Sequence, residues 1–205
     1  MLQTPGGVNL DEFYPNWAKK RIELGIPLDA FVLISVGELN TNKNNKVNIE
    51  AIEKLQNKNI NYCLCGVGDL QDYLQTQADN AGLHDNVHFL GYRSDVKDLL
   101  LMADVYVMPS IREGLSRSLM EAMASGLPCI VSEIRGNTDL IDKCGGITCD
   151  PYNVNHHKEA ISELEYSKEM RKRFGSYNKK RIENHSVENV ISRLEFIYRD
   201  FINND

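Results

Sequence analysis

Short, near-continuous apolar runs alternate with stretches of helical period along most of the chain. Residues 31–36 form a near-continuous apolar run ending at Gly37, residues 60–65 one ending at Gly66, and residues 87–90 one ending at Gly91. Residues 105–108 end at Pro109, and shorter runs follow at 129–131 and 146–149. Between them the period changes. Val47, Ile49, Ala51, Ile52 and Leu55 recur at helical spacing. Further helices are predicted over 70–81, over 95–103 and around 119–124, the last closed by Gly126 and Pro128. From about Asn153 onward the chain reads as helical and charged.

Strands that are apolar throughout, without alternation, are buried on both faces, as in parallel sheets. Their alternation with helices predicts a Rossmann-like, doubly wound α/β fold with a six-stranded parallel sheet. Right-handed crossovers place the carboxyl ends of all strands on one edge, where such sheets bind ligands. The segments at that edge are 37–43, 66–69, 91–95, 109–118 and 132–137. The expected organisation is a leading linker over 1–30 with a short helical pattern at 17–24, the α/β domain over 31–185, and a final amphipathic helix over 186–205. Val187, Val190, Ile191, Leu194, Ile197, Tyr198 and Phe201 share one face of that helix. The face suits either the sheet's own helices or a second domain.

Composition narrows the function. The 205 residues carry 23 Lys plus Arg against 29 Asp plus Glu, a formal charge of -6. A broad nucleic-acid surface would be basic, so no nucleic-acid partner is expected. No run approaches the ~18 apolar residues of a membrane span. Met1 to Gly7 lacks the basic, then apolar, start of a signal peptide. The five cysteines, Cys63, Cys65, Cys129, Cys144 and Cys149, fit a reducing compartment and read as structural thiols without metal-ligand spacing. A cytoplasmic location is expected, with membrane contact no more than peripheral.

Several familiar motifs are missing. The loop after the first strand, Gly37-Glu38-Leu39-Asn40, lacks the second glycine of a dinucleotide fingerprint. Gly66-Val67-Gly68 follows a later strand, and the third glycine position is Gln71. There is no phosphate-loop G-x-x-x-x-G-K-[ST]. Gly114-Leu115-Ser116-Arg117-Ser118 approaches a nucleophile elbow, with Asp150 and His156 following in hydrolase order, but its last glycine is Ser118.

The segment richest in chemistry runs from Pro109 to Glu121. Ser116 is a plausible N-cap, and the unpaired N–H groups behind it form an anion site suited to phosphate. Glu113 precedes the helix and Glu121 lies inside it. Carboxylates beside a phosphate site make sense as acceptors from sugar or ribose hydroxyls; as isolated residues they read equally as solvated surface charges.

EGLSRSLMEAMASGLPCIVS resembles the Glu-seven-residues-Glu signature of the family 4 (group 1) retaining glycosyltransferases, which have the GT-B fold. GVNLDEFYP, FVLISVGELNTNKN, CLCGVGDL, VHFLGYRSDVKDLLLMADVYVMPS and GGITCDPYN are similar, in the same order, to pieces of that family's C-terminal, donor-binding domain. The resemblance implies roles residue by residue. Glu121 accepts from the ribose hydroxyls, and Glu113 faces the donor sugar as the catalytic position. Gly114, Leu115 and Ser116 offer backbone N–H groups to the diphosphate, and Lys43 binds phosphate. Tyr92 and Arg93 border the nucleobase, and Gly37, Gly66 and Gly68 line the donor site. Glu38 stands where family members carry a diphosphate-binding arginine.

The resemblance also implies a UDP- or GDP-linked sugar as substrate, a saccharide or lipid-linked acceptor, a hexosyl transfer in cell-surface polysaccharide synthesis, and a separate N-terminal acceptor domain without which this chain is inactive. No cofactor is implied, and with no Asp-x-Asp at a strand end no metal is called for. The alternative is a nucleotide-sugar-binding or interaction module without transfer activity.

Overall fold

The structure is a computed structural model that describes residues 17–189, 191, 194 and 195. Among the described residues six strands form one sheet: β1 (Phe31–Val36), β2 (Ile60–Cys65), β3 (Val87–Gly91), β4 (Val105–Met108), β5 (Cys129–Ser132) and β6 (Gly146–Cys149). Their spatial order is β3-β2-β1-β4-β5-β6, and every pair is parallel. Helices α1 (Trp17–Glu23), α2 (Lys46–Leu55), α3 (Gln71–Asn80), α4 (Val96–Met102), α5 (Arg117–Ala124), α6 (Asn137–Leu140), α7 (Val154–Tyr166) and α8 (Lys168–Ile182) complete it. This is the Rossmann-like, doubly wound fold that the apolar runs predict.

The solid strands feed two cores. Val32 and Ile34 of β1 enter one with Tyr106 and Met108 of β4, Cys129 and Val131 of β5, and the apolar faces of α4 and α5. Phe31 and Leu33 enter the other with Val105, Val107 and Ile130, against α2, α3 and α7. Alternate residues point to opposite faces of a strand, so both parities must be apolar when both faces are covered. Cys63 and Cys65 share one core, and burial pushes their thiols up to about 12 and about 11. At neutral pH they are protonated and unreactive.

Helix α8 passes beneath the amino ends of the strands. Its Asn178 amide donates to the carbonyls of Leu127 (2.7 Å) and Gly145 (2.8 Å), just ahead of β5 and β6. Phe174 packs in one core and Ile182 in the other, so α8 joins the two layers. At the same edge the buried Arg21 of α1 donates to Met102, Leu28 and Ala30 carbonyls and pairs with Asp104 at 2.9 Å. These devices close the base and leave the carboxyl edge to the loops. Of the final amphipathic face, Val187 and Ile191 are exposed and Leu194 is half-buried, while Val190, Ile197, Tyr198 and Phe201 lie outside the described residues.

Candidate active site

The strand order reverses between β1 and β4: the chain leaves β1 toward β2 on one side and leaves β4 toward β5 on the other. Loops departing in opposite directions open a crevice at such a seam. Here the loops after β1 and β4 are fastened together. The Ile111 N–H donates to the Asn42 carbonyl (2.8 Å), and the Asn42 amide donates back to the Arg112 carbonyl (2.8 Å). Asn44 reaches the Pro109 carbonyl (3.3 Å) and, beyond β6, the Pro151 carbonyl (2.7 Å). This clasp brings Lys43 Nζ to 2.6 Å from Glu113 Oε1. Both side chains are partly shielded, with 22% and 12% exposure, so the ion pair is less screened than one on an open surface.

Helix α5 begins beside this pair. Ser116 has extended backbone angles, and its Oγ accepts from the Leu119 N–H at 3.4 Å, which makes it the N-cap. Gly114 and Leu115 are exposed just ahead of it. The remaining first-turn N–H groups carry the positive end of the helix dipole. Glu121 lies a turn further in and accepts from Arg117 Nε at 2.9 Å; its side chain is 21% exposed, against 82% for Arg117. Ser116 therefore caps a helix. Its other partner is Ser118 Oγ at 3.2 Å, with no base among its hydrogen-bond partners, so the hydrolase arrangement is absent.

Not every expected residue converges on the pair. A Cβ on Gly66 would sit 1.9 Å from the Gly37 carbonyl oxygen, and one on Gly68 would sit 2.4 Å from the Leu39 carbonyl oxygen. These glycines let the loop after β2 press against the loop after β1, supporting its shape from behind. Gly37 is in direct reach of the site, since a Cβ there would touch the Lys43 side chain at 3.1 Å. Tyr92 is exposed beyond β3. Arg93 is engaged: Nε and Nη2 hold the two oxygens of Asp95 at 2.7 and 2.6 Å, and Glu23 lies 3.3 Å from Nη2. That guanidinium holds the Asp95 carboxyl well below the usual carboxylate range. Lys20 of α1 joins the same network, so Arg93 fastens α1 to the loop after β3. Glu38, at the position of the expected arginine, accepts from the Asn40 amide at 2.8 Å.

Several residues that sequence reasoning passed over shape the site. Asn45 Oδ1 accepts from the buried Tyr62 hydroxyl at 3.0 Å, and that hydroxyl lies 2.7 Å from Ser35 Oγ. Asn48 continues the chain from Tyr62 (3.3 Å) to His157 Nδ1 (2.9 Å) on α7. Gly136, at φ +89, admits the backbone of Glu113 and Gly114: a Cβ there would meet their carbonyl oxygens at 2.7 and 2.5 Å. The one available signal was the asparagine-rich run 40–45, a composition typical of side chain-braced turns.

A larger cavity of ≈ 630 Å³ opens at the amino edge of the sheet among Trp17, Leu28, Tyr166 and Arg171. Of its lining cations, the buried Arg21 donates to the Ala30 carbonyl and the half-buried Arg171 to the Glu165 carbonyl. No group of three or more His, Cys, Asp or Glu among the described residues could hold a metal ion. No helix among them is long and apolar enough to cross a membrane.

With this geometry in place, comparison with known proteins is decisive at one level. The model of the family described as glycosyl transferases group 1 matches residues 17–181. The chain belongs to that family. Among its relatives is the UDP-Gal:alpha-D-GlcNAc-diphosphoundecaprenol alpha-1,3-galactosyltransferase of Escherichia coli, 27% identical over 98% of this chain and 54% of that protein. Spore coat protein SA of Bacillus subtilis (strain 168) is 30% identical over 94% of this chain and 56% of that protein. The fold matches a crystal structure of Anabaena HepE in complex with UDP, with a TM-score of 0.89 and 21% identity over 95% of this chain and 56% of that one. The chain thus has the architecture of one half of a GT-B protein and spans about half the length of the curated relatives it matches.

Proposed function

We propose that this family member binds the donor of a nucleotide-sugar-dependent glycosyltransferase at the β1–β4 seam. The observation that carries this reading is the contact of Lys43 with Glu113 beside the amino end of α5. A cation and a set of unpaired N–H groups suit the diphosphate of a UDP- or GDP-linked sugar. A neighbouring carboxylate suits the hydroxyls of its hexosyl group.

In the reaction, the bond between the anomeric carbon and the β-phosphate oxygen breaks, and the departing nucleoside diphosphate gains negative charge. Lys43 and the α5 dipole stand where that charge develops, and fixed groups of this kind lower the barrier without reorganising. Glu113 leaves Lys43 to the phosphate and accepts from a sugar hydroxyl. Glu121, one turn inside α5, accepts from ribose hydroxyls, and exposed Tyr92 offers a face to the base. Gly114, Leu115 and Ser116 supply backbone N–H donors. Configuration at the anomeric carbon is retained, and neither a metal nor a cofactor is required.

The acceptor, a saccharide or a lipid-linked saccharide, is held by a further domain, the product belongs to cell-surface polysaccharide, and the location is cytoplasmic. The relatives' names support a saccharide acceptor, and the partial coverage of those relatives supports a second domain. The test is a melting-temperature panel with UDP, GDP, ADP and their nucleosides. A rise with UDP or GDP is expected, because a ligand bound only by the native state stabilises it. A flat panel would remove the donor reading.

A further inference from the structure

We infer that Asn44 is a positioning residue: its side-chain amide locks the Lys43 loop to the loops after β4 and β6 and so aims Lys43 into the seam. This rests on the reading of Lys43 as a phosphate-binding cation.

Asn44 immediately follows Lys43 and turns the chain toward α2 with φ +50, a left-handed conformation that asparagine tolerates better than most residues. Its two amide hydrogens meet two carbonyl oxygens, Pro109 at 3.3 Å and Pro151 at 2.7 Å. Those carbonyls belong to separate loops, after β4 and after β6. Asn44 is thus the residue of the 40–45 segment whose side chain ties three loops at once. Its neighbours each reach one other element: Asn42 donates to the Arg112 carbonyl of the loop after β4, and Asn45 accepts from Tyr62 of β2.

The chemistry restricts the residue type. Glycine keeps the backbone turn but has no amide. Aspartate keeps the size and tolerates the turn but has no donor. An amide supplies two N–H groups, one for each of the two carbonyls. Lys43 itself is a long, flexible point charge whose effect depends on where its stem starts. With Asn44 in place, Lys43 Nζ lies at 2.6 Å from Glu113 Oε1. Without that amide the loop keeps the Asn42 bonds but loses its hold on Pro109 and on the 150–152 turn.

The experiment is a calorimetric titration with UDP and with GDP, the tighter one carried forward beside its nucleoside. It compares the native protein, Asn44→Gly, Asn44→Asp, Lys43→Ala and Lys43→Ala combined with Asn44→Gly. Asn44→Gly should melt within a few degrees of the native protein, since glycine suits the turn. It should bind the diphosphate roughly three- to tenfold more weakly, the range for a lost hydrogen bond, with nucleoside binding unchanged. Asn44→Asp should lose at least as much. On the Lys43→Ala background Asn44→Gly should add nothing, because the lever it positions is gone. Native-like diphosphate affinity in Asn44→Gly, an equal loss of nucleoside affinity, or the same loss with Lys43 absent would each overturn the assignment while leaving the donor site standing. Unchanged diphosphate binding in Lys43→Ala would overturn the donor reading of Lys43 and the role of Asn44 with it.

Discussion

Lys43 and Glu113, 70 positions apart in the chain, meet at 2.6 Å across the seam where the strand order reverses. In this resting arrangement the cation that suits a phosphate is held by the carboxylate that suits a sugar. A ligand that supplies both groups replaces one ion pair with two charge-assisted contacts.

Replacing that carboxylate therefore has opposite effects on two quantities. Glu113→Gln frees Lys43 and removes a negative charge beside the diphosphate. UDP or GDP should bind no more weakly than to the native protein, and up to about tenfold more tightly, which corresponds to roughly 1.4 kcal/mol. Sugar transfer by the protein together with its acceptor domain should fall. Titration and a radiolabelled transfer assay check the two halves; a weaker nucleotide complex in Glu113→Gln would place Glu113 among the phosphate-binding groups.

Glu121→Ala should weaken nucleoside diphosphate binding by about 1.5–3 kcal/mol, the usual range for hydrogen bonds to a charged group. Arg117→Ala should change it little. Arg117 is exposed, and exposed pairs of this kind on a helix contribute only a few tenths of a kcal/mol. Calorimetry on both variants separates the carboxylate from its ion-pair partner, and equal affinities for all three proteins would exclude Glu121 from the site.

The buried His157 makes stability depend on pH. Burial pulls its pKa down to about 4, below the ordinary value of 6.5, despite the nearby Asp150. The folded protein thus holds the ring neutral where the unfolded chain would protonate it. Stability is full above about pH 6.5 and declines as the pH falls toward 4, by up to about 3 kcal/mol for this one group. Urea unfolding at successive pH values should show the decline in the native protein and a shallower one in His157→Gln. Parallel curves would assign the acid sensitivity to other groups.

Gly66→Ala should destabilise by at least about 1–3 kcal/mol, the cost of a strained backbone at φ +149 plus a Cβ placed 1.9 Å from the Gly37 carbonyl oxygen. The displaced loop after β1 carries Lys43, so diphosphate affinity should drop as well. Denaturant unfolding and titration report the two effects, and a native-like midpoint would mean that the loops accommodate a methyl group.

Much of this fold was legible because β1, β2 and β4 are near-continuous apolar runs that end at Gly37, Gly66 and Pro109. The short α6, Asn137–Leu140, has too few residues to show a period. The division of the charged C-terminal stretch into α7 and α8 depends on Ser167, whose Oγ caps α8 through the Met170 N–H at 3.2 Å. For the site, the helix start at Ser116 was readable from capping chemistry, and Lys43 from its family resemblance. Asn42, Asn44 and Asn45 were not, because their partners, Arg112, Pro109, Pro151 and Tyr62, are distant in sequence and adjacent only once the sheet has formed. Arg93, to which the resemblance assigns a base contact, also bonds to Asp95 and Glu23, and the Glu23 partner, 70 positions away, could not be read from the sequence.

The most direct test of a diphosphate site at the β1–β4 seam is the difference between nucleoside and nucleoside diphosphate affinity, measured by titration in the native protein and in Lys43→Ala. The native protein should prefer UDP over uridine, or GDP over guanosine. Lys43→Ala should lose most of that preference while nucleoside affinity stays constant, because the lysine is a point charge serving the phosphates alone. Equal losses of nucleoside and diphosphate binding, or a preference that survives the substitution, would contradict it.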